Sequence, residues 1–130
     1  MKTILIDAWN TLVSKNGINQ ELKTLLDSYP HQKIIVTNAD RNELISFGIV
    51  NMPYPIFSLY HRPDKTNPKY FKVLFSEYNL TTEDVLYIEH NEDAIKSAKS
   101  IHIKCFWLKP KDPINKLKLF LDSNLYDHGI

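Results

Sequence analysis

The sequence is poor in the residues that mark disulfide-rich, repetitive and membrane-inserted proteins. Cys105 is the one cysteine in 130 residues, so no disulfide can form within the chain. Its apolar neighbours predict a buried, inert thiol, and we expect a cytoplasmic protein. Only three glycines are present and there is no Gly/Ser stretch, which excludes a flexible linker. The apolar run that begins at Thr3 ends at Asp7 and is too short for a signal peptide or a membrane span.

An excess of charge of one sign is also lacking. The 16 Lys and Arg residues nearly balance the 15 Asp and Glu residues, which leaves a net charge of +1. This balance gives no strong signal for nucleic acid or for a membrane surface as a partner. With 43% hydrophobic and 24% charged residues, the composition is typical of one globular domain, residues 1–130. The last six residues, 125–130, are expected to form a frayed end.

Five short segments rich in leucine, aromatic or β-branched residues are predicted to be strands. They are Thr3–Ala8, Lys33–Thr37, Pro55–Leu59, Val85–Glu89 and Ile103–Leu108. Most of them lack strict alternation of apolar and polar residues. Runs such as "ILI", "IIV" and "VLYI" are typical of strands that are buried on both faces, which favours a parallel sheet.

Helical patterns lie between these strands and after the last one. In the first pattern, Pro30 ends the predicted helix. Its apolar residues share one helix face: Leu22, Leu25, Leu26 and Tyr29. Four more helices are predicted from their starting residues: Asp40, Asn67 with Pro68, Asn91, and Asp112 with Pro113. The alternation of strand and helix predicts an α/β fold, a three-layer α/β/α Rossmann-like domain with a mainly parallel five-stranded sheet.

Polar residues follow the predicted strands at the points where ligands bind in such sheets, the carboxyl ends. These residues are Asp7, Thr37, Asn38, the loop 60–67, Glu89, His90 and Asn91. An aspartate there can attack an electrophile or hold a metal ion, and Thr37 can donate to an oxyanion. Each residue also has a plainer interpretation, as a turn former, a helix cap or a surface side chain.

Two further groups of polar residues lie near these strand ends. Lys65 precedes a predicted helix, where its ammonium can neutralise charge on a nucleophile and a substrate. Glu89, His90 and Asp93 can bind a divalent cation or move protons. Three residues are candidates to gather an anion at the rim of a site, or are ordinary solvated side chains: Arg41, His61 and Arg62.

Four segments, in order and spacing, resemble the motifs of the haloacid dehalogenase-like (HAD) superfamily. The segment "DAWNT" at residues 7–11 is similar to the first motif, strand-Asp-x-Asp-x-Thr, and Thr37 with Asn38 is similar to the second. Residues 65–71, "KTNPKYF", resemble the third motif, and residues 85–99, "VLYIEHNEDAIKSAK", resemble the fourth. The resemblance covers most of the chain, from Thr3 to Leu108.

The resemblance implies a hydrolase that forms a covalent aspartyl intermediate. Carried over by position, Asp7 is the nucleophile, Thr37 and Lys65 stabilise the oxyanion, and Glu89 and Asp7 are ligands for Mg²⁺, with Asp93 as a substitute ligand. His90 is a candidate proton donor. The candidate substrate contacts are Trp9, Asn10, Thr11, Asn38 and Asn91.

Three positions depart from the phosphatase pattern. Trp9 stands where the general acid belongs, and His90 and Ala94 stand at acidic positions of the fourth motif. An aromatic residue at position 9, followed by Thr-Leu two residues later, also resembles the dehalogenase branch, which needs no metal. Two main hypotheses follow: a divergent hydrolase with weak or specialised activity, and an inactive HAD-fold protein that serves in binding or assembly. A third, signalling by a phosphorylated Asp7, explains Lys65 less well.

The intervals between the motifs are too short for a cap domain. Helices, strands and loops already fill the chain from Asp7 to Thr37 and from Thr37 to Lys65. A cap normally shields a small substrate from water. We therefore expect an open site that acts on a large, macromolecular substrate or is covered by a second copy in a homo-oligomer, with no membrane partner.

Overall fold

The computed structural model describes residues 1–126, so residues 127–130 of the predicted frayed end lie outside the described part of the chain. The strands are β1 (Thr3–Asp7), β2 (Val13–Ser14), β3 (Gly17–Ile18), β4 (Lys33–Thr37), β5 (Ile56–Ser58), β6 (Val85–Glu89) and β7 (Lys104–Trp107). The helices are α1 (Gln20–Asp27), α2 (Arg41–Ser46), α3 (Lys69–Tyr78), α4 (Glu92–Lys99) and α5 (Ile114–Asn124).

Five strands form one parallel sheet in the order β5-β4-β1-β6-β7. The central strand β1 places Ile6 opposite Ile35 of β4 and opposite Ile88 of β6. All residues of β1 and β6 are buried, as expected for inner strands of a sheet covered on both faces. The predicted three-layer α/β/α Rossmann-like fold with a five-stranded parallel sheet is confirmed.

The two faces of the sheet carry separate hydrophobic cores. Ile4 and Ile6 of β1 pack in the core that contains the buried leucines of α1 and α5, Leu22, Leu26, Leu117 and Leu121. Leu5 points to the opposite face, where it packs in the core that contains Tyr70, Phe71 and Leu74 of α3 and Ala98 of α4. Alternation along β1 therefore divides its side chains between the two helical layers.

Side chains at the helix starts fix the loops that follow the strands. Asp40 accepts a hydrogen bond from the backbone nitrogen of Glu43, and the Glu43 side chain accepts one from the backbone of Asp40, which forms a capping box at α2. Asn91 caps α4 by accepting from two backbone nitrogens. Both predicted caps are confirmed, and they anchor the loops after β4 and β6.

The structure corrects several predicted boundaries. Three strands are shorter at their ends than predicted, and α3 begins at Lys69 with Pro68, rather than Asn67, as the N-cap. Tyr29 lies beyond the end of α1, although it is buried and its hydroxyl donates to Asp122 at 2.6 Å. Leu125, predicted to be frayed, is buried in the core. Cys105 is only partly buried, and burial raises the pKa of its thiol to about 12.

A short antiparallel hairpin, β2 and β3, was not predicted. It follows the loop after β1, with Val13 opposite Ile18 and Ser14 opposite Gly17. Gly17 has a φ of +94°, which other residues rarely adopt. Within residues 1–126, the hairpin and α1 are the elements between β1 and β4, and no cap domain is inserted there. No helix in this part of the chain is long and apolar enough to cross a membrane.

Candidate active site

The carboxyl ends of β1, β4 and β6 meet at one edge of the sheet and form the floor of a cavity of about 240 Å³. Asp7 ends β1, Thr37 ends β4 and Glu89 ends β6, and all three side chains line this cavity. Lys65 and His90 reach it from the loops after β5 and β6. The structure therefore brings together the residues that the sequence predicts as nucleophile, stabilisers and metal ligand.

The Asp7 carboxylate is buried and accepts hydrogen bonds on both oxygens. Its Oδ1 accepts from Lys65 Nζ at 2.6 Å. Its Oδ2 accepts from Thr11 Oγ1 at 2.7 Å and lies 2.6 Å from His90 Nδ1. Burial raises the pKa of Asp7, and the neighbouring Lys65 and His90 act in the opposite direction.

Lys65 bridges the two buried carboxylates. Its ammonium lies 2.6 Å from Asp7 Oδ1 and 2.7 Å from Glu89 Oε1. Burial by itself lowers the pKa of a lysine, but the charges of these two carboxylates outweigh it and raise the pKa of Lys65. The Asn38 side chain accepts from the backbone nitrogen of Lys65 at 2.6 Å, so this predicted substrate contact also holds the lysine loop against β4.

Glu89 is fully buried and has partners on both oxygens. Besides Lys65, its Oε1 accepts from the Tyr87 hydroxyl, two residues earlier on the same face of β6. Its Oε2 accepts from the backbone nitrogens of His90 at 3.0 Å and Asn91 at 3.2 Å. Burial favours the neutral acid, but the Lys65 charge and the hydrogen bonds lower the pKa of Glu89 below its usual range.

His90 pairs with the two carboxylates and is partly open to solvent. Its Nδ1 lies 2.6 Å from Asp7 Oδ2 and 3.3 Å from Glu89 Oε2. The hydrogen bonds to Asp7 and Glu89 raise the pKa of His90 to about 9, so it is a cation at neutral pH. The Trp107 indole donates to the backbone oxygen of His90 at 3.0 Å. The floor thus holds two basic and two acidic side chains in direct contact.

Thr37 is buried at the end of β4. The Tyr70 hydroxyl bonds to the backbone nitrogen of Thr37 at 3.0 Å and to its backbone oxygen at 2.9 Å, which fixes the strand end against α3. The Thr37 hydroxyl accepts from the backbone nitrogen of Ala39 at 3.2 Å, and within residues 1–126 its own proton has no acceptor, so it can bond to a ligand.

An aromatic wall and a polar rim border the cavity. Trp9 stacks on Phe47 with ring centroids 4.6 Å apart and planes inclined by 20°. On the rim, His61 lies 2.6 Å from Glu43 Oε1 and 2.7 Å from Asp64 Oδ1. The hydrogen bonds to Glu43 and then to Asp64 raise the pKa of His61.

Other predicted site residues lie elsewhere or have structural partners. Asn10 is exposed, has a φ of +64° and lines a neighbouring groove. The Asn91 side chain caps α4, although the residue lines the cavity. Asp93 is exposed in the first turn of α4, outside the acidic cluster. Arg41 and Arg62 are exposed and are not among the residues that line the cavity.

In residues 1–126, one group of acidic and histidine side chains is close enough to hold a metal ion: Asp7, Glu89 and His90, each with a ligand atom within 4.8 Å of the others. The two carboxylates offer the oxygen ligands that Mg²⁺ prefers. The imidazole nitrogen of His90 is a less suitable ligand for Mg²⁺, and it occupies a position where an oxygen ligand would suit this ion better. The oxygen donors that would hold Mg²⁺ are therefore Asp7 and Glu89, which the Lys65 ammonium bridges in this structure.

Sequence reasoning missed several residues of the site and its supports, including Glu43, Tyr87, Trp107 and Phe47. Glu43 belongs to the capping box Asp-x-x-Glu, a signal that the sequence contains. Tyr87 shares a strand face with Glu89 by simple alternation, and Trp107 ends β7, where the strand-end rule applies. Phe47 has no local signal, because it reaches Trp9 through the packing of α2.

No family model and no curated protein sequence matches the chain. Solved structures do match it. The core domain of a Streptococcus pneumoniae protein, proposed to be a phosphoglycolate phosphatase, aligns with a TM-score of 0.66 at 15% identity and covers 95% of this chain and 97% of its own. A protein from Corynebacterium glutamicum, described as uncharacterized, aligns with a TM-score of 0.60 at 9% identity over 100% of this chain and 99% of its own.

A HAD family enzyme from Bacteroides thetaiotaomicron, solved with magnesium and inorganic phosphate, aligns with a TM-score of 0.60 at 16% identity. The match covers 78% of this chain and 57% of that enzyme. At these identities the likeness establishes the architecture. The chain therefore has a HAD-like fold.

Proposed function

We propose that the protein is a HAD-like hydrolase that transfers a phosphoryl group from an ester to Asp7 and then to water. The observation that carries the proposal is the Lys65 ammonium, which bridges Asp7 and Glu89 at the floor of the cavity. A buried cation beside a buried carboxylate suits attack on an anionic phosphoryl group, because the cation offsets the repulsion between the two anions. The likeness to a proposed phosphoglycolate phosphatase and to a HAD family enzyme solved with inorganic phosphate supports the same chemistry.

The reaction has two steps in this proposal. An Asp7 oxygen attacks phosphorus, the bond from phosphorus to the leaving oxygen breaks, and an aspartyl phosphate forms. Water then attacks phosphorus, which restores the Asp7 carboxylate and releases inorganic phosphate. Lys65 and the Thr37 hydroxyl stabilise the phosphoryl oxygens in both steps.

His90 orients the nucleophile and is the proposed site of proton transfer. Its Nδ1 lies against Asp7, so Nε2 is the ring nitrogen left for water or substrate. The residues that would hold Mg²⁺ are Asp7 and Glu89, and the ion would add positive charge beside the phosphoryl oxygens. Asp93 is too far from the cluster to take the role of substitute ligand without a change at the start of α4.

A second function, binding without turnover, is favoured by a specific observation. Both Asp7 oxygens already have partners, and the residue two positions later is Trp9, packed on Phe47, where a general acid would act. Loss of general acid–base catalysis typically slows a reaction by about 10²–10⁴-fold. An inactive HAD-fold protein would keep the cavity as a binding site for an anionic ligand.

Hydrolysis of 4-nitrophenyl phosphate, with and without Mg²⁺, separates the two functions. We expect turnover by the wild type, and by a Glu77→Gln control on the exposed face of α3, but none by Asp7→Asn. Beryllofluoride should form an adduct with the wild type that ¹⁹F NMR detects and that Asp7→Asn lacks. Turnover that survives in Asp7→Asn would contradict the nucleophile assignment, and phosphate binding without turnover or adduct would favour the binding protein.

A further inference from the structure

The cavity has an aromatic wall beside its charged floor. Trp9 and Phe47 both line it, and both rings remain partly exposed. Trp9 comes two residues after Asp7, which ends β1, and both line the cavity, so a ring that contacts Trp9 lies in the cavity that holds the nucleophile. The total volume of about 240 Å³ exceeds the roughly 150 Å³ that suffices to hold a benzene ring.

The same cavity lacks an unpaired carboxylic acid that could protonate a leaving group. Among the described residues that line it, the acids other than Asp7 are Glu43 and Glu89, and each is paired with a basic side chain. His90 Nδ1 is held against Asp7, so Nε2 is its one nitrogen left for the proton transfer proposed above, and no unpaired carboxylic acid in the described part of the cavity assists it. Such a site suits a leaving group that departs as a stable anion. A phenol has a pKa of about 10, against about 16 for a hydroxyl as weakly acidic as that of water.

We propose that the substrate is an aryl phosphate, whose aromatic leaving group packs on Trp9 and Phe47 while its phosphoryl group contacts Lys65 and Thr37. This inference rests on the hydrolase proposed above. The aryl oxide departs with the electron pair of the broken P–O bond. It takes a proton from solvent, which balances the proton released when water attacks the aspartyl phosphate.

Binding of two non-hydrolysable analogues tests the aromatic contact without turnover. In titration calorimetry we expect phenylphosphonate to bind about 10-fold more tightly than methylphosphonate, because the ring is buried against an aromatic wall. Trp9→Leu should reduce this ratio several-fold. Phe120→Leu removes an aromatic ring on α5, where it contacts Phe106 away from the cavity, and should leave the ratio unchanged.

A kinetic comparison tests the leaving group. Phenyl phosphate should turn over faster than cyclohexyl phosphate, which has a ring of similar size but a poor leaving group. Trp9→Asp places a carboxylic acid at position 9. It should increase the rate of hydrolysis of cyclohexyl phosphate by about 10-fold or more and that of phenyl phosphate by less. Circular dichroism verifies the fold of each variant, and Phe47→Leu replaces Trp9→Leu if the latter unfolds.

The outcomes separate this inference from the hydrolase proposal. Equal binding of the two phosphonates, or a ratio that neither Trp9→Leu nor Phe47→Leu changes, overturns the aromatic site even if phosphate esters are hydrolysed. Preferential binding of phenylphosphonate, with no turnover of either ester, overturns the hydrolase and leaves an aryl-anion binding site.

Discussion

Two histidines among the described residues each lie between two carboxylates. His90 lies on the cavity floor, and His61 lies on the rim. On the floor, His90 lies 2.6 Å from Asp7 and 3.3 Å from Glu89, whose side chains are 5% and 0% exposed. On the rim, His61 lies 2.6 Å from Glu43 and 2.7 Å from Asp64, whose side chains are 36% and 42% exposed. The chemical groups are the same and the shorter distance is 2.6 Å in both, whereas the access of water to the carboxylates differs.

That difference in burial decides what each group can do. On the rim, water and salt screen the charges, so such pairs contribute little to stability. On the floor, each carboxylate has lost its hydration and depends on protein partners, so Lys65 is needed as well as His90. The floor therefore holds acidic and basic groups in a fixed arrangement that can bind a charged substrate, whereas the rim groups are exposed and are not held in this way.

The largest expected effect comes from removal of the buried cation. Lys65→Met leaves Asp7 and Glu89 buried without their ammonium partner, and we expect the free energy of unfolding to fall by about 3–5 kcal/mol. Urea denaturation measures it, with Lys72→Met as a control at an exposed lysine of α3 that should change stability by less than about 0.5 kcal/mol. A similar small loss in both variants would mean that the floor is as well hydrated as the rim.

Replacement of each histidine by aspartate compares how well the cavity floor and the rim bind a metal ion. His90→Asp replaces the imidazole with a third carboxylate, and we expect Mg²⁺ to bind about 10-fold more tightly than in the wild type, as measured by titration calorimetry. His61→Asp makes the same change on the rim, where the flexible, exposed acids should give a smaller gain. Equal gains at the two positions would show that burial does not organise the floor for a cation.

The pH dependence of stability tests the charge on His90. The folded-state pKa of His90 is about 9, above its ordinary value of 6.5. Its contribution is therefore complete below about pH 6.5 and is lost as the pH rises through about 9. Near pH 6 the free energy of unfolding of the wild type should be higher than that of His90→Asn by about 1 kcal/mol, a value reduced because the ring is partly exposed to solvent. Near pH 10 the two proteins should have the same free energy of unfolding. A constant difference across this range would rule out the charged interaction.

Much of the fold could be predicted because its signals are local. Buried runs such as Ile4–Ile6 and caps such as Asp40 and Asn91 act within a few residues, and together they predicted the alternating elements and the parallel sheet. The hairpin β2–β3 was missed because two-residue strands carry no periodic pattern. Tyr29 continued the helical spacing, but its burial comes from contact with α5 after the helix has ended.

The site was predictable where topology alone brings residues together. Asp7, Thr37 and Glu89 end strands of one sheet, so their proximity follows from the parallel arrangement. The pairing of His90 with Asp7, and of His61 with Glu43, depends on how the loops fold, and no spacing in the sequence encodes it. Asp93 was considered as a ligand from its position in the sequence, but the first turn of α4 leaves it exposed outside the acidic cluster.

The smallest expected effect belongs to the rim. In His61→Asn both neighbouring acids lose a partner, but they remain hydrated, so the midpoint of urea denaturation should not change measurably at neutral pH. High salt should also leave the wild type and this variant alike, because the rim charges are already screened. His90→Asn, measured beside it, should lower the midpoint. A loss in His61→Asn as large as that in His90→Asn would mean that the distances, and not the burial of the carboxylates, determine the strength of the two groups.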